Sequence, residues 1–107
     1  MAASILIVDD TELILKMVSA ILVKDGYEVL TARNGFEALE MIKSAPPALA
    51  ILDVMMPDMD GYTLCERIRK NPATAKIPII ILTALSDVEN KIKAFDSGAD
   101  DFLAKPF

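Results

Sequence analysis

Apolar residues fall along this chain in short unbroken runs, and between the runs they recur every three or four positions. The runs read as strands: 4–8 (S-I-L-I-V), 28–32 (E-V-L-T-A), 49–53 (L-A-I-L-D), 78–83 (P-I-I-I-L-T) and 101–104 (D-F-L-A). Between them lie four helical patterns. The first is capped by Asp10 or Thr11 and runs to about Lys24, with Leu13, Met17, Ile21 and Leu22 as its inward stripe and Asp25-Gly26 as its stop. Asn34 with Glu37 three residues on opens a second helix bearing Phe36, Leu39 and Ile42, which Ala45-Pro46-Pro47 ends. Asp60 caps a third through Arg69, turning Leu64 and Ile68 inward, until Asn71-Pro72 breaks it. Ser86 and Glu89 form an S-x-x-E capping box for a fourth, with Val88, Ile92 and Phe95 on one stripe and Ser97-Gly98 past its end.

Strands alternating with helices through short links specify an α/β fold, a doubly wound parallel sheet of five strands in one domain spanning 1–107. The organising stretch is 49–53. It is apolar enough to be buried on both faces, ends on Asp53, and breaks into the loop V-M-M-P-D-M-D-G61. In a parallel sheet all strand C-termini share one edge, where open α/β sheets bind ligands. That edge receives Asp9 and Asp10 from the first strand, Asp53 from the third, Thr83 from the fourth and Lys105 from the fifth. Each alone has an ordinary reading: Asp10 as a helix cap, Thr83 as a strand former, Lys105 as a solvated charge. Together at one edge they read as a site.

Composition narrows the chemistry. A chain of 107 residues that is 53% hydrophobic and 25% charged builds one core and not two. Its formal charge of −5 disfavours direct binding of nucleic acid. There is no histidine, which excludes Ser/His/Asp and Cys/His catalysis, histidine metal ligands, and phosphate carried on a histidine of this domain. The single cysteine, Cys65, forms no internal disulfide and reads as a half-buried packing residue. No signal peptide or membrane-length apolar run is legible, so a cytoplasmic domain without membrane contact is the expectation.

Three carboxylates crowded at one edge need compensation by positive charge. With only oxygen ligands on offer the cation should be hard, Mg²⁺ first and Mn²⁺ next. Metal, the Lys105 ammonium and the Thr83 hydroxyl around one carboxylate suit a phosphoryl group in an in-line transfer. Aspartate is a competent nucleophile towards phosphorus, which makes Asp53 the acceptor.

The set I-L-I-V-D9-D10, L-D53-V-M-M-P-D-M-D-G61, I-L-T83-A84 and K105-P106-F107 resembles the receiver domain of two-component response regulators along the whole chain. The resemblance implies a flavodoxin-like strand order of 2-1-3-4-5. It implies that Asp53 is phosphorylated from the phosphohistidine of a histidine kinase or phosphotransfer protein. It further implies that Asp10, Asp53 and the main-chain carbonyl of Met55 bind Mg²⁺, with Asp9 acting mainly through water. Thr83 and Lys105 would hold the phosphoryl oxygens, Lys105-Pro106 would be a cis peptide, and Phe102 would be the aromatic that turns inward as Thr83 moves. The domain would then be a switch and no enzyme beyond Mg²⁺-dependent self-phosphorylation and slow autodephosphorylation. It would change the surface around the fourth helix and fifth strand to control an output domain or effector.

Other readings are weaker. A phosphatase working through phospho-aspartate wants a second acid two residues after the nucleophile, where this chain has Met55. A flavin module wants a phosphate cradle where Asp9-Asp10 stand. An unphosphorylated docking module usually lacks one of the acids or the lysine. The family also carries a fifth helix after K-P-F, which is missing from this chain. Right-handed crossovers place the first helix on one face of the sheet and the next three on the other. Strands three to five are then bare on the first helix's face, over roughly 300–400 Å² of apolar surface. The expectation is a chain cut from a longer protein, or one that borrows cover from a partner or a second copy.

Overall fold

The computed structural model describes residues 3–83 and 88–104. Nine elements alternate through the chain: β1 (Ser4–Val8), α1 (Glu12–Lys24), β2 (Glu28–Ala32), α2 (Gly35–Ser44), β3 (Leu49–Asp53), α3 (Gly61–Lys70), β4 (Ile79–Thr83), α4 (Val88–Asp96) and β5 (Asp101–Ala104). The strands form one parallel sheet in the order β2-β1-β3-β4-β5. This is the flavodoxin-like order, and it makes β3 the central strand. Among the described residues no helix is long and apolar enough to cross a membrane.

The two sheet faces are covered unequally. On one, Leu6, Val8, Ala50, Leu52, Ile79 and Ile81 meet the undersides of α2, α3 and α4 in a continuous buried core. On the other, Ile5 and Ile7 pack with Leu15 of α1, joined by the partly buried Val18, Leu22, Val29, Leu49 and Ile51. Towards β5 this second face thins out, with Ile80 only half-buried and Leu103 exposed, although Leu82 is fully covered.

Local chemistry sets the helix limits much as the sequence implies. Asn34 Oδ1 accepts from Glu37 N–H at 2.8 Å and Asp60 Oδ1 from Thr63 N–H at 2.8 Å, each satisfying an orphan donor of a first turn. Gly26, at φ +94, takes the left-handed conformation that ends α1. Thr11 is the N-cap of α1 without a side-chain capping bond. The capping box expected at Ser86 lies outside the described residues, as do Lys105, Pro106 and Phe107.

Of the expected inward stripe of α1, Leu22 faces the sheet but the other three residues do not. Leu13 (64% exposed), Met17 (51%) and Ile21 (59%) face outward, while Leu15, Val18 and Leu22 face the sheet. The cause is that α1 is apolar nearly all round, so periodicity alone does not select a face. Phe36, Ile92 and Phe95 are likewise exposed, whereas Ile42 of α2 is buried and Leu39 packs against the core as expected; Ala38 of α2 and Ala94 of α4 are buried beside them.

Candidate functional site

Asp9 follows the last residue of β1 and its N–H extends the ladder to Ala32 O at 3.1 Å. Its Oδ1 accepts the Thr11 N–H at 2.9 Å, which turns the chain from strand into α1. Asp9 is fully buried and Asp10, next along, is exposed. Asp53 closes β3 and is buried to 3% exposure. Carboxylate oxygens of Asp9, Asp10 and Asp53 all lie within 4.8 Å of one another. The three acids singled out from sequence are thus one cluster at the C-terminal edge, where β1 and the central β3 are neighbours.

The loop after Asp53 is held by its own backbone. Val54 N–H donates to Leu82 O at 3.2 Å, tying the loop to β4, while Met56 and Gly61 N–H both reach back to Val54 O at 3.1 Å. Met59 is buried against Gly35 of α2, where a Cβ would come within 2.5 Å of its sulfur. Gly61 opens α3 directly behind the end of β3, and a Cβ there would overlap the carbonyl oxygen of Asp53. Asp58 turns the loop at φ +69, a left-handed conformation that Asp tolerates better than most residues. Met55 stands 75% exposed at the lip. It lines an open hollow of about 640 Å³ with Asp10, Met56, Pro57, Asp60, Tyr62 and, from α4, Lys93.

Of the remaining expected residues, Thr83 ends β4 one position beyond Leu82, the register partner of Asp53, so its backbone is at the same edge. Lys105 lies outside the described residues. Phe102 is partly buried on the α4 side of β5, with its ring edge-on to Phe95 at 5.7 Å and 88°. An all-oxygen cluster of this kind fits a hard divalent cation and offers nothing to a soft one.

Two positions that the site depends on escaped sequence reasoning. Gly61 reads locally as a turn residue, and Met59 as one more loop methionine. Their contacts with Asp53 and Gly35 exist only once strand, loop and two helices have met.

Comparison with known proteins agrees with this geometry. The sequence matches the family model of the response regulator receiver domain over residues 5–107. It is 46% identical over 103 residues to the DNA-binding dual master transcriptional regulator RpaA of Synechocystis, covering 96% of this chain and 43% of that protein. The chain therefore spans less than half the length of this relative. Among solved structures, a response regulator from Chloroflexus aurantiacus superposes with a TM-score of 0.97 at 46% identity, over 100% of this chain and 88% of the other. The chemotaxis response regulator CheY4 of Vibrio cholerae gives 0.94 at 38% identity, over 100% and 89%.

Proposed function

Because the chain belongs to the response regulator receiver family, whose members are phosphorylation-dependent signalling switches, we propose that Asp53 is the residue that accepts the phosphoryl group. One observation carries this reading: Asp53 ends the central strand, buried, with its carboxylate within 4.8 Å of those of Asp9 and Asp10. An Asp53 oxygen attacks the phosphorus of a phosphohistidine on a histidine kinase or phosphotransfer protein. The O–P bond forms as the N–P bond breaks, and the imidazole nitrogen leaves with the electron pair.

Asp10, Asp53 and the Met55 carbonyl would hold Mg²⁺, or Mn²⁺ in its place, with Asp9 acting largely through water. When bound, the cation neutralises charge that builds on the phosphoryl oxygens. The Thr11 N–H holds the Asp9 carboxylate in the turn that carries the exposed Asp10. The Thr83 hydroxyl and the Lys105 ammonium take the remaining phosphoryl oxygens. Movement of Thr83 towards them lets Phe102 turn inward, which alters the surface around α4 and β5 that an output domain or effector reads.

The test is intact mass after incubation with acetyl phosphate and Mg²⁺. Wild type gains one phosphoryl group, Asp53→Asn gains none, and excess EDTA abolishes the gain. Equal modification in EDTA, or of Asp53→Asn, overturns the assignment, and no modification of wild type points to a docking module instead.

A further inference from the structure

At the sheet edge away from the acids, one side chain of α3 ties together three segments. Arg69 Nε donates to Gly98 O at 2.8 Å, Nη1 to Ala75 O at 3.0 Å and to Ile77 O, and Nη2 to Asp100 Oδ2 at 2.7 Å. The same Asp100 oxygen accepts the Ile79 N–H at 2.8 Å, and the Asp100 N–H returns to Ile79 O at 2.9 Å. The guanidinium thus joins the end of α3, the approach to β4 and the turn from α4 into β5. Arg69 itself is anchored through its helix, whose Leu64, Cys65 and Ile68 are fully buried.

Seating of α4 is lopsided. In its second half Ile92, Lys93, Phe95 and Asp96 are exposed, and only Ala94, with Ser97 just past the end, is buried. Its last turn is closed by Gly98 N–H to Phe95 O at 3.0 Å, Ala99 N–H to Ala94 O at 3.1 Å and Ser97 Oγ–H to Ala94 O at 2.7 Å. Gly98, at φ +100, then presents its carbonyl to Arg69, and a Cβ there would sit 2.8 Å from Arg69 Cγ. The helix is held by its tail, and among its described side chains only Ala94 is buried. Its other end follows Thr83 through a short link, on the side of the acid cluster.

We propose that Arg69, bonded to Gly98 and Asp100, is a positioning residue that makes the end of α4 a fixed pivot. A change at the Asp53 edge then turns α4 about this point without carrying β4 and β5 along. This rests on the switch reading given above. The planar fork of arginine supplies donors in three directions at once, which the single ammonium of lysine does not match. A lever needs a fixed end, and the bonds of Arg69 to Gly98 and Asp100 fix the end of α4 remote from the chemistry.

Amide hydrogen exchange on the full chain, with Mg²⁺ and with or without acetyl phosphate, tests this, using intact mass to score the phosphorylated fraction. In wild type, phosphorylation changes exchange within 88–93 and spares the amides of Ile79, Ala99 and Asp100. Arg69→Lys and the milder Asp100→Asn are phosphorylated to within twofold of wild type, yet phosphorylation now speeds exchange at those three amides tenfold or more. The pivot is wrong if both variants reproduce the wild-type map, or if wild type itself changes at Ile79, Ala99 and Asp100. The latter arm needs no variant to fold. Absence of phosphorylation in wild type is read by mass alone and removes the switch reading together with the pivot.

Discussion

Gly61 occupies a position where only hydrogen fits, because any Cβ would strike the Asp53 carbonyl that forms the back of the site. Gly61→Ala should therefore push either the loop or β3 and cost about 1–3 kcal/mol, as overpacking generally does. Urea denaturation should show this as a lower midpoint with an unchanged slope, together with slower uptake of phosphate from acetyl phosphate. An alanine variant matching wild type in both would mean that the loop yields freely. Met55, at the open lip, has a different consequence. It and Leu85 stand two residues beyond Asp53 and Thr83, and neither can deprotonate or hydrogen-bond an attacking water. The phosphorylated form should be comparatively long-lived. Met55→Asn combined with Leu85→Glu should shorten its half-life several-fold, measured as loss of the phosphorylated mass after the donor is removed, and an unchanged half-life counts against the idea.

At the level of elements, α3 shows how a helix serves a site it touches only at its start. Its inner stripe of Gly61, Leu64, Cys65 and Ile68 is buried. Burial pushes the Cys65 thiol above its ordinary value near 9.0, against the opposing effects of its Ser97 hydrogen bond and of Arg69. The folded chain therefore keeps this proton to a higher pH than the unfolded chain does. The contribution is whole below the ordinary thiol value and is lost as pH rises through the raised one. Native protein at neutral pH should be inert to a thiol reagent and react at once in urea; rapid labelling of the native state would show that α3 opens readily. The elements also show what could be read from the chain. Strand ends, the Asn34 and Asp60 caps and the three clustered acids were legible because each depends on neighbours within a few residues or on the single edge that parallel strands share. The outward turn of Leu13, Met17 and Ile21 was not, since apolar residues lie all round α1 and only the sheet selects among them. Nor was the Arg69–Asp100 pair, whose partners are 31 residues apart and brought together by the completed fold.

The whole molecule measures 37 × 32 × 23 Å and exposes 6273 Å², against about 5,800 Å² expected for a compact monomer of this mass. Apolar side chains contribute to this surface on the thinly covered sheet face, where Ile80 is half-buried and Leu103 exposed, and on the outer stripe of α1. The 107-residue polypeptide studied alone should bind a hydrophobic dye in its native state and self-associate with rising concentration in sedimentation equilibrium. A dye-negative monomer with cooperative unfolding would show that this face is adequately covered. The strand order β2-β1-β3-β4-β5 carries one more consequence, for the way the molecule comes into being. On a ribosome, β1 emerges first, β2 pairs on one side of it, and β3, β4 and β5 then add in turn on the other side. No strand has to wait for a later neighbour or be inserted between two that are already joined. The sheet can grow outward from its first strand as the chain lengthens, and the acid cluster is complete as soon as the third strand arrives, before β4 and β5 have been made.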